Sequence, residues 1–451
     1  MDTSLAELLT QRLPRYTSYP TAPHFHDGIG EHDYRQWLGA VPASRAASLY
    51  LHVPFCDKLC WYCGCNTTIV NHDGPVRLYA ETLTAEIELV AAALPQRQPV
   101  SQIHWGGGSP NMMPGPQFKA LMALLRERFS VLDGGEFAVE LDPRIVTPAQ
   151  IEMFAEAGIN RASLGVQDFD PDVQRAINRI QDYEMTRGVV LGMRAAGVPR
   201  INLDLIYGLP LQTVDSVLRT VDLTLSLEPD RVALFGYAHV PWMKAHQKLL
   251  PEDQLPDAEA RLAQYNAASE RLSAAGYVVI GLDHYARPDD PLALAAHAGH
   301  LRRNFQGYTT DEAELLIGLG VSAIGSMAQG YIQNHPTVPR WREAITAGRL
   351  PVARGLAVSD EDRLRRALIE TIMTTLCLDI AEVATAHGAA VETFDDSLPA
   401  LDRLAAMGLL RRDGWKIAMT EIGRPFVRAA AAAFDSYLQP ENGPRRHAIA
   451  V

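Results

Sequence analysis

Four of the five cysteines of this 451-residue chain fall within ten positions, at Cys56, Cys60, Cys63 and Cys65, in the pattern C-x3-C-x2-C-x-C. Thiolates this close together share a metal centre, because soft sulfur ligands select zinc, copper(I) or iron–sulfur clusters. Structural zinc asks for two separated Cys/His pairs that close a tetrahedron from both sides. Here Cys377 stands alone, and no H-x3-H or second C-x2-C occurs. A structural disulfide is the plainer alternative. It sits poorly with an odd cysteine count and with an N-terminus, MDTSLAELLTQRLPRY, that lacks a basic stretch followed by an apolar one. A C-x3-C-x2-C loop suits three corners of a 4Fe–4S cube and leaves the fourth iron open to an exogenous ligand. Clusters are ordinarily held by four cysteines. Only Gly64 separates Cys65 from Cys63, which makes it awkward for both to bind one cube. Cys56, Cys60 and Cys63 are therefore read as ligands and Cys65 as non-ligating.

The elements that must position this loop are legible on either side of it. An apolar, β-branched and aromatic run at 49–53 reads as a buried strand, which Pro54 ends because proline cannot donate to a ladder. Further strands are predicted at 102–105, 137–141, 161–165, 201–206, 231–236 and 278–282. Amphipathic helices are predicted between them at 78–94, 116–129, 148–157, 183–196 and 214–227. This alternation, from 48 to about 330, means βα units around a parallel sheet. In barrels built this way function collects at the strands' C-terminal ends. The polar groups that stand out lie there: the glycine-rich Trp105-Gly-Gly-Gly-Ser-Pro110, then Glu140, Gln167, Arg179 and Asp204. Periodicity alone does not separate an open barrel from a doubly wound sheet.

Residues 1–45 read as a short helix and then an extended arm, RLPRYTSYPT, punctuated by prolines. A linker is predicted near 352–359, followed by helices at 364–374, 380–387 and 401–407. A hairpin over 408–420 is predicted to turn at Asp413-Gly414. Helices followed by such a hairpin read as a winged-helix-like cap. The DNA-binding version needs a basic face that this segment lacks, so it is taken as a lid. The formal net charge of −12 argues against nucleic-acid or membrane-surface partners. No apolar run reaches transmembrane length. The expectation is a cytoplasmic soluble enzyme in which an anionic substrate needs a local basic pocket.

The C-x3-C-x2-C loop after a strand resembles that of the radical S-adenosylmethionine (SAM) superfamily. The longer string from Tyr50 to Asn66 resembles, within it, the oxygen-independent coproporphyrinogen III oxidases. RYTSYPT, YAHVPWMK (237–244), GLDHYA (281–286) and RNFQGYTT (303–310) carry the likeness over most of the chain. The resemblance implies an α/β fold, a partial (β/α)6 TIM-like barrel with an N-terminal arm and a mostly helical, winged-helix-like C-terminal domain. The implied boundaries are 1–45, 46–350 and 351–451. It also implies a 4Fe–4S cluster and two SAM molecules. Tyr50, Gly107, Glu140 and Ile324 would lie with the first SAM. Tyr62, Gly108, Ser109, Gln167, Arg179, Asp204 and Ala238 would lie with the second. Relatives often carry Thr at the position of Ser109 and Phe at that of Tyr62.

The implied activity is oxidative decarboxylation of the ring A and B propionates of coproporphyrinogen III to vinyl groups, giving protoporphyrinogen IX. A cofactor-derived radical would do the chemistry, with no catalytic side chain assigned. The implied partners are the tetrapyrrole and an external flavodoxin- or ferredoxin-type electron donor, with the chain acting as a monomer. Arg12 and Arg15 in the arm, and Lys244, Arg302 and Arg303, are candidates for propionate contacts. His239 and His284 are equally core histidines or substrate contacts. The alternatives are a haem-chaperone paralogue or another tetrapyrrole-modifying radical SAM enzyme. Such chaperones commonly lack the fourth cysteine and the arm.

Overall fold

Strand β1, Ala47–Val53, sets the pattern for the molecule. Leu49, Leu51 and Val53 are buried in the main core. Successive side chains of a strand point to opposite faces, so Ser48, Tyr50 and His52 face the other way. The computed structural model describes residues 3–438 and Ile449. In it β1 pairs in parallel with β2, Pro99–Gly107, and the parallel run continues through β3 (Ser130–Leu141), β4 (Arg161–Gln167), β5 (Arg200–Tyr207) and β6 (Arg231–Gly236). Each of these strands carries its apolar residues outward, as with Ile103 and Trp105, Leu164 and Val166, Ile201 and Leu203. Polar ones point inward, in registers such as Tyr50 opposite His104, Glu140 opposite Ser163 and Ser163 opposite Asn202.

Helices Gly74–Ala93, Gly115–Arg128, Pro148–Glu156, Tyr183–Ala195 and Val214–Leu225 follow the strands. The outer layer locks through aromatic packing: Trp105 lies 4.6 Å from Phe118, and Phe118 lies 4.9 Å edge-on to Phe154. The predicted barrel helices and, apart from 278–282, the predicted parallel strands are present, with ends shifted by a few residues, as helix fraying and ladder ends allow. The sheet is open, its twelve strands running from one free edge to another.

Three stretches differ from the sequence reading. Val352–Ala357, expected as a linker, is the edge strand beyond Gly330–Asn334, because Leu356 packs with Phe25 and Tyr331. Val278–Ile280 is antiparallel, not another parallel strand. Gly281, at φ +55°, reverses the chain so that His284–Ala286 pairs with both Val278–Ile280 and β6. Residues 1–45 hold a second helix, Glu31–Gly39, whose Tyr34, Trp37 and Leu38 are buried in the main core.

The C-terminal region is built from helices Asp360–Thr375, Ile380–Ala386 and Leu398–Ala406, with an antiparallel three-stranded sheet that includes Leu410–Asp413 and Lys416–Met419. Its core includes Leu9, Tyr16 and Tyr19 of the N-terminal arm. Tyr16 Oη donates to Asp435 at 3.0 Å, and Arg428 Nη1 donates to the Leu13 carbonyl at 3.3 Å. The arm is thus part of the C-terminal core, and this pair together meets the barrel.

Opposite the inward face, Glu86 is buried among three donors: Gly320 N–H at 2.7 Å, Asn334 Nδ2 at 2.7 Å and Trp341 Nε1 at 3.2 Å. Burial outweighs these bonds and pushes its carboxyl up to about 8. The folded chain therefore holds a proton that the unfolded chain gives up. This contribution to stability is complete below the ordinary value of 4.5 and is lost as pH rises toward about 8. Glu86→Leu strands the donors and costs on the order of 3 kcal/mol. Urea denaturation at pH 6 checks the loss, and the same measurement across pH 5 to 9 shows a shallower decline in the variant.

Candidate active site

At the C-terminal ends of the parallel strands the inward residues surround a cavity of 380 Å³. Cys56, Cys60, Cys63 and Cys65 lie on its wall with Gly107, Gly108, Ser109, Glu140, Gln167, Arg179, Asp204, Tyr62 and Ala238. Tyr50 and Ile324 do not line it. Tyr50 sits one position deeper, stacked on His104 at 5.8 Å, with its hydroxyl 3.0 Å from His52 Nδ1. Ile324 packs instead against the Phe25–Tyr331 cluster.

The cysteine loop is held by its backbone. Trp61 N–H donates to the Ile177 carbonyl at 3.0 Å, and Asn178 Nδ2 to that of Leu59 at 2.8 Å. From the segment after β6, Gln247 Nε2 donates to the Tyr62 carbonyl (2.9 Å) and Lys244 Nζ to that of Cys65 (2.8 Å), while His246 Nε2 lies 2.7 Å from that of Cys63. Lys244, a sequence candidate for carboxylate binding, thus gives one of its three N–H donors to the loop. The thiols are also met by donors. Arg144 Nη2 and Arg179 Nη1 approach Cys60 Sγ at 3.4 and 3.5 Å, and Ser109 Oγ approaches Cys56 Sγ at 3.6 Å. A hydrogen bond from exposed Cys65 brings the Cys63 thiol down to about 6, while burial pushes that of Cys56 up to about 12. Among the described residues no three Cys, His, Asp or Glu side chains converge on a point fit for one metal ion. Thiols spread around a common cavity, with guanidinium donors at their backs, match the needs of a larger anionic cluster whose sulfurs accept hydrogen bonds.

The glycine run closes against this loop. Gly108 N–H donates to the Val53 carbonyl and Ser109 N–H to that of Phe55, both at 2.8 Å. Gly107 takes φ +113°, and a Cβ there would meet the His52 ring at 2.5 Å. Its N–H donates to Glu140 at 3.1 Å, and His104 Nε2 lies 2.9 Å from the same carboxyl. Burial opposes ionisation of Glu140, but these partners prevail and hold it below the usual carboxylate range. Asp204 differs. Burial and the charge of Glu140 push it up to about 6, against the bonds from Asn202 (2.7 Å) and Ser163 (3.1 Å). Two carboxyls on one wall therefore lose their protons in different pH ranges, because burial prevails over the partners of Asp204 but not over those of Glu140.

Several residues that matter here escaped the sequence reading. Asp142 pairs with Arg144 at 2.6 Å and Arg179 at 3.5 Å, forming a buried ionic knot beside Cys60. Ser163, Asn202 and His104 brace Asp204 and Glu140. Their signal was period-two polarity inside otherwise apolar strands, which marks a wall facing a cavity. Of the other candidates, Arg15 lines the cavity and donates to the Gly236 carbonyl at 3.1 Å, whereas Arg12 lies over the Trp242 ring at 4.7 Å. His239 is 2.9 Å from Tyr237 Oη, and buried His284 is 2.7 Å from Asp283.

Residues 50–224 match the Radical SAM superfamily model, and residues 358–426 match the HemN C-terminal domain. The chain is 51% identical to the oxygen-independent coproporphyrinogen III oxidase of Bradyrhizobium diazoefficiens, over 98% of each chain. It is 43% identical to the enzyme so named in Pseudomonas aeruginosa, over 96% of this chain and 95% of the other. The solved coproporphyrinogen III oxidase HemN of Escherichia coli superposes with a TM-score of 0.90 at 37% identity, covering 95% of this chain and 100% of that one.

The glycine geometry gives a direct check. Gly107→Ala forces both a strained φ and a collision with His52, and should cost about 2 kcal/mol in urea denaturation. Gly64→Ala, whose Cβ meets nothing within 4 Å, should stay within about 0.5 kcal/mol.

Proposed function

Because the chain belongs to the oxygen-independent coproporphyrinogen III oxidases of the radical SAM superfamily, we propose how its own residues serve that reaction. It is an enzyme of oxygen-independent haem synthesis that oxidatively decarboxylates coproporphyrinogen III, and its family works with a 4Fe–4S cluster and SAM. In our reading the ring A and B propionates become vinyl groups, each losing one hydrogen atom, one electron and CO2. When bound, SAM reduced by one electron at the cluster supplies a 5′-deoxyadenosyl radical able to take hydrogen from an unactivated carbon.

The observation that carries the residue assignments is the convergence of three loop thiols, a glycine-rich strand end and strand-end polar groups on one cavity. Cys56, Cys60 and Cys63 hold the cluster. Cys65, which lines the same cavity and whose backbone N–H donates to Cys63 Sγ at 3.4 Å, is read as a non-ligand. Arg144 and Arg179 donate toward the Cys60 sulfur and balance the negative charge of the loaded loop. The wall carries two sets of polar groups, Glu140 with the Gly107 N–H, and Gln167, Arg179 and Asp204. This supports two SAM molecules, with Tyr62, Gly108, Ser109 and Ala238 beside the second. Tyr50 acts on the first from behind, through His104 and Glu140, and Ile324 contributes only packing.

The arm and C-terminal region, sharing one core, exclude water and oxygen from the radical. An external one-electron donor of flavodoxin or ferredoxin type completes the reaction. We take the enzyme to act as a cytoplasmic monomer. Among the described residues no helix is long and apolar enough to cross a membrane.

Anaerobic incubation with coproporphyrinogen III, SAM and reductant should release CO2 and yield the vinyl product. Haem binding without turnover would overturn the assignment in favour of a chaperone. Replacing Cys56, Cys60 or Cys63 with Ser should abolish iron content and turnover together, while Cys65→Ser keeps its iron by chemical analysis. Asp204, titrating near 6, should bind SAM more weakly as pH falls below that value, when its acceptor carboxylate is protonated. Asp204→Asn should lower affinity about tenfold at pH 8 and flatten this dependence, as read by equilibrium dialysis.

A further inference from the structure

A second cavity, of 340 Å³, opens between the arm, the hairpin Arg302–Asn304/Gly307–Thr309 and helix Asp360–Thr375. Two of its arginines carry buried guanidinium nitrogens without a hydrogen-bond partner, Arg303 Nη1 and Arg366 Nη2. Arg303 Nε and Nη2 and Arg366 Nε are occupied. Arg303 donates to the Tyr16 and Arg15 carbonyls at 3.3 and 3.1 Å, and Arg366 to the Tyr19 carbonyl at 3.0 Å. Aromatic faces fix both planes, Tyr308 at 4.4 Å from Arg303 and Tyr331 at 4.9 Å from Arg366.

The rest of the cavity's charge is largely committed. Arg363 pairs with Asp360, Glu314 with Arg45 and Glu312 with His300. Asp311 accepts from Ser101 Oγ and the Ala313 N–H, and Glu370 accepts only a long 3.4 Å bond from the Arg303 N–H. Burial raises both carboxyls above their ordinary range, against the pull of Arg302 and Arg366 on Glu370. A buried charged donor left unpaired is expensive. Rigid guanidinium forks with free edges suit a carboxylate.

The inward face of β1 runs from this cavity toward the cysteine-lined one. Ser48 lines this cavity, and the next inward residue, Tyr50, stacks on His104, which meets Glu140 in the other. Arg15 links them too, its carbonyl held by Arg303 and its side chain lining the cysteine cavity.

We propose that Arg303 and Arg366 bind carboxylates of the tetrapyrrole that the reaction leaves intact, anchoring one edge of the substrate while another edge faces the cysteine loop. This rests on the activity argued above. The test is fluorescence titration of the reconstituted, unreduced enzyme with coproporphyrin III, the oxidised and unreactive form of the substrate, and with its tetramethyl ester. Arg303→Gln and Arg366→Gln should each weaken binding of the acid about tenfold or more, while the ester, lacking carboxylates, binds all forms alike within about twofold. Thermal melting should confirm folded variants. Unchanged binding of the acid overturns the proposal. So does an equal loss for acid and ester, which would mark a displaced arm. If wild-type enzyme converts coproporphyrinogen III and the variants bind as it does, only this anchoring site falls. If wild type converts nothing, the functional reading fails and takes the site with it.

Discussion

The structure depends on a constraint of β geometry: strands whose outward side chains are uniformly apolar turn every alternate residue toward the inside of an open barrel. There the inward residues are polar, and polar groups taken out of water must find partners. Many do: His104 with Glu140 and Ser163 with Asp204 across strands, Asn202 with Asp204 along one, and Arg179 with Asp142 just beyond the strand ends. Beyond the strands, buried donors that stay unpaired, such as Arg303 Nη1 on the hairpin and Arg366 Nη2 on helix Asp360–Thr375, are where a ligand has something to offer. The same rule that stabilises the barrel thus also marks its working surfaces.

The second organising device is a clamp on backbone, not side chains. A loop that must present several thiols cannot spend those thiols on its own structure. Its shape is fixed instead by carbonyls gripped from outside, by Asn178, Gln247, Lys244 and His246. Lys244, whose charge and place in the family-like string made it a candidate for a substrate carboxylate, also serves this clamp through one of its donors.

The arm shows how a segment with little structure of its own acquires one. Its tyrosines complete the C-terminal core, and its carbonyls occupy arginines from the hairpin and from helix Asp360–Thr375. The arm's conformation is therefore a joint property of the arm and the C-terminal region.

Much of this was legible in the sequence. The period-two and helical patterns defined the βα units, Pro54 ended the first strand, and the clustered cysteines marked the loop that lines the cavity. All but Tyr50 and Ile324 among the predicted site residues line one cavity, because strand ends of a parallel sheet converge whatever their separation along the chain. Antiparallel Val278–Ile280, the edge strand Val352–Ala357 and the helix Glu31–Gly39 were not legible in this way. Their conformations depend on a reversal at Gly281, on Leu356 meeting Phe25, and on a core assembled from distant residues. Nor could the sequence say which arginines are used up and which are free. Composition counts charges, and only the folded chain, by bringing carbonyls of residues 15–19 against Arg303 and Arg366, decides which nitrogens remain unpaired.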